Sequence, residues 1–235
     1  MARSFSGITD AINVGTSSVL NPASFSISAW VYAIGYPHSY QVVIDQQNAG
    51  GTLYWGLFVS NAGVPNVFCS ISNAAGGSIS LNTWTHLGVS FNNGGSLIIY
   101  INGSQVDSVG ATAQASFTGT CSIGYNITGS NDPWHGYIAD AALWSTPLGP
   151  SEFVGLSQGA RPNTVRSGSL VGYWPLDGLS SPEPDYSGNA FEGTLTGTVY
   201  ATNPPLMMAT PRAPQYTLQG VTTVLSPVAR SLVFM

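Results

Sequence analysis

Residues 81–106 constrain the fold more tightly than any other stretch of the chain. From His86 to Phe91 the sequence alternates, with Leu87, Val89 and Phe91 on one side and polar or very small residues on the other. A period of two belongs to a half-buried strand and cannot bury one face of a helix. Asn92-Asn93-Gly94-Gly95 then supplies residues that tolerate positive φ, so the chain can reverse tightly. Leu97, Ile99 and Ile101 alternate again up to a second reversal at Asn102-Gly103. Similar short runs occur at residues 11–14, 25–33, 41–45, 53–59, 66–71, 121–124 and 136–144, separated by Gly, Asn, Ser and Pro. Regular short strands of this kind read as an all-β sandwich or jelly roll, which 235 residues can build as one domain. Only residues 146–157 look helical, with Ser151 placed to cap a turn or two.

Charge narrows the function. Asp, Glu, Lys and Arg make up 6% of the chain, against a usual share of about a quarter. There is no Lys, and the five basic residues are Arg3, Arg161, Arg166, Arg212 and Arg230. With a net charge of -5 and scattered arginines, the chain lacks the clustered basic footprint of a nucleic-acid binder. No apolar run approaches a membrane span. The N-terminal residues have no apolar signal core, so export by the general secretory route is not expected. Cys69 and Cys121 sit in strand-like contexts and read as buried free thiols rather than a disulfide. No Cys/His spacing would hold zinc.

Beyond about residue 200 the composition changes. Residues 203–214 carry four prolines and cannot be helix or central strand, whereas 215–225 and 231–235 are apolar and β-prone. We therefore divide the chain into a sandwich at 1–200 and an extended Pro-rich arm at 201–235. The arm either lies along a neighbouring chain or folds back on its own sandwich.

Several motifs resemble the laminin-G-like, concanavalin A-like lectin/glucanase family. The Trp84 strand leads into one ending Tyr100-Ile101-Asn102-Gly103, and Gly136-Tyr-Ile-Ala-Asp-Ala-Ala-Leu-Trp144 precedes the short helix. Tyr173-Trp-Pro-Leu-Asp-Gly178 and Asp185-Tyr-Ser-Gly-Asn189 resemble the module that closes the same sandwich. The resemblance covers roughly residues 4 to 200 and implies a jelly roll of two antiparallel sheets. It also implies that Trp30, Trp84, Trp144 and Trp174 belong to the core and that His86 is structural.

The same resemblance frames the sites. Glycosidases on this fold present paired carboxylates on one strand. The three glutamates here, Glu152, Glu183 and Glu192, offer no such pair, so an enzyme is not expected. Related domains hold calcium near the Asp-x-Ser-Gly-Asn loop, which makes Asp140, Asp185 and Asn189 the candidate calcium ligands. Asp185 could equally cap its own turn through side-chain hydrogen bonds. For glycans, Tyr36, Tyr40, Tyr125, Asn126, Trp134 and His135 fall in or near loops and form a candidate binding rim. The function expected from these features is a non-enzymatic structural protein of a bacterial virus, decorating a capsid or fibre as part of the virion. Its expected partners are other assembly proteins and copies of itself, engaged through the arm. The alternative is a carbohydrate-binding lectin module or adhesin recognising cell-surface glycans.

Overall fold

A computed structural model describes residues 1–48, 50–69, 72–112, 118–128, 132–178 and 180–201. Two antiparallel sheets enclose the core. The first runs in the order β10 (Ser104–Gly110), β9 (Ser96–Ile101), β8 (Trp84–Phe91), β3 (Phe25–Ala33), β12 (His135–Trp144), β1 (Ala2–Ser6) and β15 (Val199–Ala201). An eighth strand, β13 (Leu170–Trp174), also pairs with β12. The second sheet runs β14 (Thr194–Thr196), β2 (Ala11–Ser17), β11 (Gly119–Ile123), β4 (Tyr40–Gln47), β5 (Leu53–Ser60), β6 (Pro65–Cys69) and β7 (Ser72–Ala75). The all-β, two-sheet jelly roll expected from the sequence is therefore the architecture observed.

Alternation seals the interior. Phe25, Ile27, Ala29 and Val31 of β3 and Leu87, Val89 and Phe91 of β8 are fully buried. They pair as Phe25↔Phe91, Ile27↔Val89 and Ala29↔Leu87. Phe25 stacks on Phe91 at 5.0 Å and meets Trp55 of the other sheet at 5.7 Å. Burying each such side chain contributes about 1.5–3 kcal/mol before conformational entropy is counted. Cys69 and Cys121 are buried free thiols in the same core. The β9–β10 turn holds both Asn102 (φ 50) and Gly103 (φ 79) left-handed, as a two-residue hairpin turn of this twist requires.

The helix α1 (Pro150–Ser157) is shorter than the sequence indicated, and Ser151 is not its cap. Glu152 reaches back instead, and its Oε2 accepts the Gly149 N–H at 2.7 Å. The helix covers part of the outer face of the eight-stranded sheet, where Phe153 stacks on Tyr100 at 4.3 Å and Trp144 is buried beside it. Strands β1, β10, β14 and β15 were not legible in the sequence. The first of these is pinned by a buried ion pair, Arg3 Nε to Glu183 Oε2 at 3.0 Å.

Contrary to expectation, three tryptophans lie outside the inter-sheet core, Trp144 among them beneath the helix. Trp30 and Trp84 lie on the outer face of the eight-stranded sheet, because Ser26, Ser28, Trp30 and Tyr32 form the outward set of β3. Trp174 does belong to the inter-sheet core. β15 runs to Ala201, which pairs with Ala2, one residue past the expected boundary. The rest of the expected arm, residues 202–235, lies outside the described residues. Among the described residues, no helix is long and apolar enough to cross a membrane.

Candidate functional site

A cleft of about 370 Å³ opens on the outer face of the eight-stranded sheet, within the size range of small-ligand sites. Its origin lies in β12. The first half of this strand pairs with β1 (Gly136↔Phe5, Ile138↔Arg3), and its second half pairs with β13 (Ala141↔Trp174, Leu143↔Gly172). Between the two partners the β3–β12 register shifts, from Ala139 to Ala142. Ile138, Ala141 and Leu143 all face the core, so one residue between them must leave the alternation. Asp140 is that residue. It takes a left-handed φ of 48°, and its N–H turns to the Pro175 carbonyl at 3.0 Å.

The carboxylate thereby enters the cleft, where its Oδ1 accepts a 2.7 Å hydrogen bond from the Tyr173 hydroxyl. Burial raises the Asp140 pKa, and the nearby Asp177 adds to the rise. The Tyr173 hydrogen bond, the Met1 amino group and Arg161 oppose it. The Tyr173 hydroxyl is pushed up by burial and by Asp140. Trp30 of β3 forms a wall, with its ring edge-on to buried His86 at 5.4 Å. Tyr186, 53% exposed, stands on the lip with its ring 6.2 Å from that of Tyr173 and tilted 57° to it.

Short-range signals bring the remaining groups in. Gly159 (φ 93) ends the helix and turns the chain so that Arg161 and Asn163 reach the cleft. The 175–177 turn presents Asp177. Aromatic faces beside carboxylate, amide and guanidinium groups can pack against the apolar side of a pyranose ring and bond its hydroxyls. Of this set, the sequence singled out only Asp140. The Tyr173 and Asp185-Tyr186 motifs were visible as family patterns, but nothing local showed that they meet Trp30 and Arg161.

Two of the candidate calcium ligands commit their side chains to hydrogen bonds within the chain. Asp185 Oδ1 accepts the Tyr173 and Ser187 N–H groups at 2.9 and 2.8 Å. Its Oδ2 accepts the Ser187 hydroxyl at 2.7 Å and the Phe191 N–H at 3.0 Å. All four of its lone-pair positions are used, which leaves none for a cation. Asn189 donates its amide to the Leu170 and Val171 carbonyls. These two residues brace the loop that carries Tyr186, whose N–H donates to the Tyr173 carbonyl. Asp185 and Asn189 thus do not fit a calcium shell, and among the described residues no three His, Cys, Asp or Glu side chains form a metal group.

The expected glycan rim lies elsewhere, where β12 begins. Trp134 is 1% exposed and packs in the core, so it offers no sugar platform. Asn126 is buried as well, its Oδ1 accepting the Thr128 N–H. Tyr36 is half-buried and donates to the Ile79 carbonyl, while Tyr40 packs edge-on against Phe58 and Phe68. Tyr125 is half-buried, and His135 lies against Gly7 and Gly35. Tyr40 and His135 open strands β4 and β12, while Trp134 and Asn126 face inward.

With this geometry in hand, the chain can be set beside known proteins. Residues 5–153 match a laminin G family model of the concanavalin A-like lectin/glucanases superfamily. The chain belongs to that superfamily. No curated protein matches it. Among solved structures, this concanavalin A-like chain resembles a candidate carbohydrate-binding protein of Bacteroides ovatus, with a TM-score of 0.65 and 18% identity over 87% of its length. It spans 61% of that longer chain. It also resembles a heptameric SAP-like pentraxin of Limulus polyphemus, with a TM-score of 0.54, 16% identity, and coverage of 68% of this chain and 83% of the pentraxin. At these identities the likeness is one of fold.

Proposed function

We propose that the protein is a carbohydrate-binding lectin module and that the cleft around Asp140 is its glycan site. The observation that carries this reading is the meeting of Trp30, Tyr173 and Tyr186 with Asp140, Asp177, Asn163 and Arg161 in one cleft. Membership of a lectin/glucanase superfamily and likeness to a candidate carbohydrate-binding protein support it. The expected virion role draws on composition and on residues 201–235, and neither the family nor the neighbours point to it.

A glycan array with the intact chain, followed by calorimetry on the glycans it selects, tests the reading. Tyr186→Ala should weaken binding by about tenfold, or ~1.4 kcal/mol, and Asp140→Asn by a comparable factor. Tyr125→Ala should leave affinity unchanged. Loss in Tyr125→Ala but not in Tyr186→Ala would move the site to the rim at the start of β12. An array with no glycan bound would refute the lectin reading.

A further inference from the structure

Among the described residues, the helix does not reach every part of the outer sheet face. Away from it, Trp84 of β8, Tyr32 of β3 and Tyr137 of β12 sit in register on three neighbouring strands, all half-buried. Tyr32 stacks on Tyr137 at 5.1 Å and 20°. Trp84 lies 5.6 Å from Tyr32 and 6.2 Å from Tyr137. This crest joins the cleft directly, because Trp84 and Tyr137 pack against the cluster that contains the cleft wall Trp30. Resting on the lectin reading above, we propose that crest and cleft form one continuous surface for an extended neutral polysaccharide. The cleft takes one part of the chain, and the crest carries the sugar units that follow.

Three observations favour this occupant. First, the rings brace one another, so the crest is already in place and little side-chain freedom is lost on binding. Tyr and Trp also combine an apolar body with a polar handle, which suits sugars that present CH faces and hydroxyls together. Second, the register row continues from Tyr137 to Ser4 of β1 and Val199 of β15 without a charged residue. Five strands at about 4.8 Å spacing give a track of about 20 Å, longer than a single sugar needs. Third, the electrostatics exclude an anionic polymer. In the cleft Asp140 and Asp177 stand against Arg161 and the Met1 amino group, the whole chain carries -5, and the buried Arg3 is already paired with Glu183.

The test uses the full chain with neutral glucan and mannan ladders, from disaccharide to octasaccharide. Calorimetry measures affinity, and hydroxyl-radical footprinting reads the protection of individual rings. Affinity should climb about tenfold or more with length. Trp84 and Tyr137 should be protected by the long ligands only, in the wild-type chain, so this readout does not depend on a variant folding. The double variant Trp84→Ala/Tyr137→Ala should bind the octasaccharide no better than the disaccharide.

Affinity that is flat with length but still sensitive to Tyr186→Ala would overturn the extended track and leave the cleft as a lectin site. No binding at any length would overturn both. Tighter binding of a sulfated or uronate polymer would overturn the choice of a neutral ligand. If ring protection were present without ligand and vanished on removing residues 202–235, the crest would belong to the chain's own C-terminus, and the proposal would fail.

Discussion

Asp140 shows what one residue contributes here. Its left-handed φ costs an L-residue about 1–2 kcal/mol, and the same conformation frees its carboxylate for the cleft. Asp140→Gly and Asp140→Ala both remove the hydrogen bond to Tyr173, but only glycine relieves the backbone. Urea denaturation should therefore find Asp140→Gly more stable than Asp140→Ala by about 1 kcal/mol, with glycan binding weakened in both. Equal stabilities would mean that the bulge is not strained.

Asp45 is a second residue with a large effect, although it lies outside the cleft. It is fully buried, and burial pushes its pKa from 3.8 to about 8, helped by Asp132 and opposed by the Ser122 hydroxyl at 2.6 Å. His86 is shifted the other way by burial, from 6.5 to about 3, with its Nε2 2.8 Å from the Ser28 hydroxyl. A carboxyl with a raised native pKa binds more protons folded than unfolded, so its contribution falls as pH rises from 3.8 through 8. A histidine with a depressed native pKa contributes fully above 6.5 and loses that contribution as pH falls toward 3. The two slopes oppose each other where they overlap. Above pH 6.5 only the Asp45 slope remains of the pair, and stability should decline toward pH 8 and level off once the carboxyl is ionised in both states. Asp45→Asn mimics the neutral acid, so it should flatten this decline and gain stability over the wild type at alkaline pH. Denaturation midpoints at about pH 5 and about pH 8.5 check this, and parallel curves for the two proteins would refute it.

Among the elements, β12 organises the site because two strands share its edge. β1 covers its beginning and β13 its end, and the gap between them is the cleft. The helix depends on a comparable detail. Phe153 of α1 rests on Gly88 of β8, where an added Cβ would lie 2.4 Å from the Phe153 ring. Gly88→Ala should lift the helix from the sheet and lower stability by about 1–3 kcal/mol in urea denaturation. An alanine variant as stable as wild type would show that the helix can slide without loss.

For the whole molecule, the scarcity of charge becomes a binding property. Contacts between uncharged hydroxyls and aromatic rings are screened little, so glycan affinity should change less than about twofold between about 0.05 and 0.5 M salt. A steep fall with salt would mean that Arg161 holds an anionic ligand instead.

How much of this was readable depends on how far apart the interacting residues lie in the chain. The β8–β9 hairpin was legible because alternation and an Asn-Gly reversal are local, and each residue's face follows from its neighbours. Tyr173-Trp174 and the Asp185 loop were visible as motifs, yet their roles were not: Asp185 spends its oxygens on its own turn and on Tyr173. Trp134 looked like a loop aromatic, and only the approach of the two sheets turns it inward. The sequence by itself determined the two-layer β core, since a period of two can bury a face only by pairing strands. The tertiary structure alone decided the cleft. Asp140 leaves the alternation because β1 and β13, about 170 residues apart in the chain, compete for one edge of β12, and a register set across that separation leaves no local trace.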